Sequence, residues 1–105
     1  MAITRHFKET IQARALKDSK FRTGLLKESI ESMLAGDTET GKMLLRDYIN
    51  ATIGFEELGS MVEKSPKSLM RMFSPGGNPT ANNLFGIIHT LQEKEGVHFK
   101  VKALR

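Results

Sequence analysis

Cysteine and tryptophan are absent from this 105-residue chain, tyrosine occurs once and proline three times. Without cysteine there is no disulfide framework and no thiolate metal site, which fits a reducing compartment and gives the expectation of a cytoplasmic protein. No apolar run approaches the ~18 residues of a membrane span. Residues 1–8 carry early charge and no apolar core, so no secretory signal is read. His6, His89 and His98 lie far apart with no ligand spacing around them, so neither metal nor cofactor is expected. Ser65 and Ser68 have no histidine or acid placed to activate them. The paired acids Glu56–Glu57 and Glu28/Glu31 read as surface helix charges. No catalytic constellation is present, and the expectation is that the chain is not an enzyme. Strand-type alternation is nearly missing before Val97.

Charge is unevenly distributed. The net charge is +4, but the middle of the chain is acidic and both ends are basic. Residues 28–63 hold eight acids against Lys42 and Arg46, and from Lys64 to Gln92 there is no acidic residue. Such clustering attracts phosphate and steers polyanions; it also describes an ordinary solvated face.

The three prolines, Pro66, Pro75 and Pro79, fall close together, which leaves the rest free for long helices. Apolar spacing gives a helix over about 4–17, with Phe7, Ile11 and Ala15 on one face. This basic helix can pack on the core, bind a partner or extend a nucleic-acid contact. Asp18 caps a second helix reaching about Leu34, with Phe21, Leu25, Leu26, Ile30, Met33 and Leu34 apolar. Gly36 stops it, and Asp37 or Thr38 starts a third helix to about Ile53, with Met43, Leu44, Tyr48, Ile49 and Ile53 inward. Gly54 breaks that helix. Phe55–Val62 is a short amphipathic helix with Leu58, Met61 and Val62 inward. Glu63 and Lys64 turn the chain, Ser65 caps, and Pro66 suits a first helical position. A second short helix runs to Phe73. Residues 74–79 form a loop, and Thr80 caps a last helix to about Lys94 with Leu84, Phe85, Ile87, Ile88 and Leu91 as its stripe. Val97, Phe99 and Val101 alternate with polar residues, a strand-like tail that needs a partner edge. A second copy of the chain can supply one as a two-stranded ribbon.

Two short helices joined by a tight turn, the second opening on a serine cap, form a helix-turn-helix pattern. Leu58, Val62 and Leu69 hold the pair together, and Gly59 allows close approach. Lys67, Ser68 and Arg71 then face outward on the second helix, where residues of that type reach base edges and phosphates in a DNA major groove.

Residues 55–101 resemble the lambda-repressor-like (Cro/C1-type) helix-turn-helix family, and within it the HigA-like addiction-module antitoxins. The resemblance is carried by Leu58, Ser65, Ser68-Leu69, Arg71, the string Ser74-Pro75-Gly76-Gly77-Asn78-Pro79-Thr80, then Leu84, Ile87-Ile88 and Leu91. It implies five packed helices in the family domain; for the whole chain the expectation is an all-α fold, a compact bundle of about six helices containing the helix-turn-helix, plus the strand-like tail. It forms one domain, with 1–54 as N-terminal helices, 55–95 as helix-turn-helix and support, and 97–105 as tail. The resemblance also implies a homodimeric repressor of its own operon that binds double-stranded operator DNA and a RelE-superfamily toxin, with no membrane role. In the helix that starts at Ser65, Lys67, Ser68 and Arg71 would be the readers, with Ser65 and Lys64 also DNA-binding at its start, and Asn78, Thr80 and Asn82 the backbone contacts. Family turns carry Gly followed by an apolar residue where this chain has Glu63 and Lys64. A non-glycine residue is disfavoured at positive φ, so a reshaped turn is expected, and Glu63 brings negative charge to the DNA side. An interaction module that has lost specific DNA binding is therefore the second reading.

Overall fold

The protein is described by a computed structural model covering residues 13, 14 and 17–105. These residues form five helices, with no strand among them: α1 (Ser19–Leu34), α2 (Thr38–Ala51), α3 (Phe55–Val62), α4 (Pro66–Met72) and α5 (Ala81–Glu95). The expected helix over 4–17 lies largely outside the described residues, although Ala13, Arg14 and Lys17 are helical.

Four of the five helices start where the sequence supplies an acceptor for the orphan N–H groups, and α3 follows Gly54 without a side-chain cap. Asp18 accepts from Lys20 and Phe21, Asp37 from Thr40, Ser65 from Ser68 and Thr80 from Asn83. α1 and α2 form a hairpin through a three-residue connection in which Gly36 has φ of 89°. They touch most closely where fully buried Ser29 meets Gly41: a Cβ on Gly41 would lie 2.9 Å from the Ser29 carbonyl oxygen.

One core joins all five helices. Leu26 of α1, Leu45 and Ile49 of α2, Leu58 of α3, Leu69 of α4, and Ile87 and Leu91 of α5 are each at most 1% exposed. Burying a side chain of this size stabilises a fold by roughly 1.5–3 kcal/mol. Phe55 and Phe73 bracket the α3–α4 pair with ring centroids 6.4 Å apart.

Several expectations change. The third helix ends at Ala51 rather than about Ile53, because the Thr52 hydroxyl donates to the Tyr48 carbonyl oxygen and the backbone leaves helical geometry there. Leu45, which the sequence reading passed over, is fully buried, while Met43 is 45% exposed. Leu34, Met61 and Phe85 are likewise exposed rather than inward. Helical periodicity places a residue to within a quarter turn or so, and α2 settles with Leu45 and Ile49 at its centre. The strand-like tail is not a strand: 97–105 has no regular structure. Phe99 packs against the core and its N–H donates to Gln92 Oε1 at 2.9 Å. A lone strand leaves half its backbone groups without partners.

A polar centre fastens α1 and α2 to the end of α5. Arg22 Nε of α1 donates to Glu95 Oε1 and Oε2 at 2.9 and 3.1 Å. The Tyr48 hydroxyl of α2 donates to Glu95 Oε1 at 2.7 Å. Burial alone would raise the Glu95 carboxyl, but the hydrogen bonds from Arg22 and Tyr48 outweigh it and hold the group below its ordinary value. Burial, with the Glu95 hydrogen bond second, pushes the Tyr48 hydroxyl far above its usual range.

Candidate nucleic-acid interface

The α3–α4 pair is built around a turn of three residues, Glu63 to Ser65. Glu63 sits in the left-handed region at φ 57°, ψ 47°, and it is the one non-glycine residue with positive φ among the described residues. The Lys64 N–H donates back to the Gly59 carbonyl oxygen at 2.9 Å and closes α3. The turn is thus not reshaped around the glutamate; the glutamate takes the conformation a glycine would take, at a cost of about 1–2 kcal/mol. Gly59 is required on the other side, because a Cβ there would stand 2.5 Å from the Lys64 carbonyl oxygen. Leu58 and Leu69 are fully buried, and Val62 is half-buried against the same cluster.

With Leu69 turned inward, α4 leaves Lys67, Met70 and Arg71 exposed and Ser68 half-buried. Among the described residues neither Lys67 nor Arg71 is held in an ion pair. Their charges are available to a ligand. Lys64 is half-buried and Ser65 exposed. The Ser65 hydroxyl oxygen accepts from the Ser68 N–H at 3.1 Å, which leaves its own hydrogen to donate. Thr80 repeats this arrangement at the start of α5, accepting from the Asn83 N–H at 3.2 Å. Asn78, Thr80 and Asn82 are exposed. Glu63 is exposed as well and adds a negative charge at the turn.

The loop between α4 and α5 has two anchors. Ser74 binds the Arg71 carbonyl oxygen through its N–H at 3.3 Å and its hydroxyl at 2.7 Å. The Gly77 N–H donates to the Ser74 carbonyl oxygen at 2.9 Å. Gly77 presses on the end of α4, so that any Cβ there would be driven into the Arg71 and Met72 carbonyl oxygens. The start of the loop is therefore continuous with the last turn of α4.

The other anchor is a residue the sequence reading missed. Lys42 of α2 is only 6% exposed. Its Nζ donates to the Gly77 carbonyl oxygen at 2.6 Å and to that of Ser74 at 3.5 Å, and pairs with Glu39 Oε1 at 2.8 Å. A signal was present: Lys42 shares the helical face of Leu45 and Ile49, at i+3 and i+7, so an inward lysine was legible from spacing. Beside it a cleft of about 560 Å³ opens between Met33, Glu39, Pro79, Leu84 and Phe85. Among the described residues no group of His, Asp or Glu is placed to hold a metal ion, and no helix is long and apolar enough to cross a membrane. No protein-family model, curated protein or solved structure matches this chain.

Proposed function

We propose that this chain is a sequence-specific DNA-binding transcriptional regulator, the antitoxin and autorepressor of a type II toxin–antitoxin module. The observation that carries the reading is α4 itself. A serine-capped helix packs through Leu69 and turns Lys67 and Arg71 to solvent with Ser68 half-buried between them, within a stretch free of acids from Lys64 to Gln92. In the helix-turn-helix reading α3 supports α4, and α4 enters the major groove with Arg71 bidentate to a guanine. The hydroxyl donors of Ser65 and Thr80, with Asn78 and Asn82, contact the phosphate backbone and fix the register. The protein acts as a homodimer on a pseudo-palindrome with half-sites about 34 Å apart, and its acidic 28–63 segment meets a basic RelE-superfamily toxin.

The test is binding to duplex DNA from upstream of the chain's own gene. Arg71→Ala should lose affinity for that fragment about 10-fold or more beyond its loss on a random duplex. Equal losses on both would mean that Arg71 touches phosphate alone. No specific complex at low salt would favour the second reading, an interaction module without specific DNA binding, which exposed Glu63 at the turn supports. A small basic protein encoded next to this chain that co-purifies with it would support the antitoxin assignment, and the absence of any such neighbour would remove it. A chain ending at Gly96 tests the ribbon: full dimerisation by sedimentation would exclude it.

A further inference from the structure

We infer that Lys42, a residue outside the proposed reading helix, positions the DNA-facing Ser74–Thr80 loop by binding its carbonyl groups from beneath. The DNA role of that loop rests on the function proposed above; its positioning by Lys42 does not. The Lys42 side chain is nine-tenths buried, and buried lysines persist where their N–H groups are taken. Of its three donors, two go to the carbonyl oxygens of Ser74 and Gly77 and one to Glu39. Ser74 is itself bonded to the carbonyl oxygen of Arg71, and Asn78 and Thr80 follow Gly77 in the chain. The lysine thus ties the α1–α2 hairpin to the joint between the reader helix and its backbone clamp. Glu39, whose side chain is largely exposed, pairs with the lysine from the preceding turn of α2.

The consequence is a division of roles. Arg71 would govern which sequence is bound, and Lys42 how firmly any sequence is bound, since backbone contacts hold register without reading bases. The probes are a duplex enriched by the wild-type protein from a random-sequence pool and an unrelated duplex of the same length. Lys42→Met is paired with Glu39→Gln in one variant, which keeps the net charge unchanged. Its affinity should fall about 10-fold on both duplexes, leaving their ratio intact. Lys42→Arg should recover most of the loss. In the free protein, hydrogen exchange at the Gly77 amide should speed up about 10-fold while the Ile49 amide stays slow. Unchanged exchange at Gly77 would overturn the inference. So would equal acceleration at Gly77 and Ile49, which would make Lys42 a general stabiliser. If the wild-type protein enriches no sequence, the DNA-binding reading fails, and the exchange result still decides whether Lys42 positions the loop.

Discussion

The Tyr48 hydroxyl and the Arg22 guanidinium meet on a single carboxylate, Glu95, at 2.7 and 2.9 Å. The α1–α2 hairpin is joined to the distant α5 at one charge whose side chain is 7% exposed. An acid this enclosed is stabilising only while its partners are present.

Folding holds the Glu95 carboxyl below its ordinary value, so the unfolded chain takes up its proton at higher pH than the folded one. The stabilisation is complete above the ordinary carboxylate pKa of about 4.3 and disappears as pH falls through the lower folded value. Glu95→Gln should cost about 2 kcal/mol at pH 7. Urea unfolding from pH 7 to pH 3 should show the gap between variant and wild type closing. A gap independent of pH would mean that Glu95 contributes packing and not charge. Tyr48→Phe should cost about 1–2 kcal/mol, since the core contact survives and one charge-assisted hydrogen bond is lost.

The left-handed Glu63 makes a prediction of unusual sign. Glu63→Gly should stabilise the protein by about 0.5–1 kcal/mol, the relieved strain being partly offset by the freer unfolded chain. Glu63→Gln removes the charge and keeps the strain, so its thermal midpoint should stay near that of the wild type. If α4 meets DNA, both variants should bind more tightly than the wild type at low salt, and by similar factors.

Helical glycines divide into two groups. Gly24 and Gly86 have open space where a Cβ would project, whereas Gly59 faces the Lys64 carbonyl oxygen. Gly24→Ala and Gly86→Ala should each stabilise by roughly 0.5–1 kcal/mol through helix propensity. Gly59→Ala should lose about 1–3 kcal/mol despite the same gain, because the turn must move to admit the methyl group. Differential scanning calorimetry of the three variants gives the signs directly.

Sequence reading went furthest where one residue type meets one local demand. The caps at Asp18, Asp37, Ser65 and Thr80 were legible because each is a side-chain acceptor placed just before an apolar-periodic run. The role of Gly59 was legible from its place between two short helices. What escaped depends on distant segments meeting. Glu95 lies 73 residues from Arg22, and no local pattern joins them. The spacing of Lys42 put it on the inward face, against the usual place of lysine at the surface; only the loop 35 residues onward, supplying two carbonyl oxygens, makes its burial tolerable. Phe85 and Met61 were expected inside on hydrophobicity, but the apolar stripe is wider than the face α5 and α3 actually cover.

The seven-residue helix α4 has a simpler implication. Its side-chain hold on the bundle runs through Leu69, Met72 and the Phe73 that follows, while the side chains at 67, 70 and 71 are exposed. On the proposed function, recognition and folding are therefore encoded at separable positions. A lineage can rewrite those outward letters, and an engineer can randomise them, while the scaffold beneath keeps the same melting behaviour; new targets are reachable by substitution on a surface that the core does not monitor.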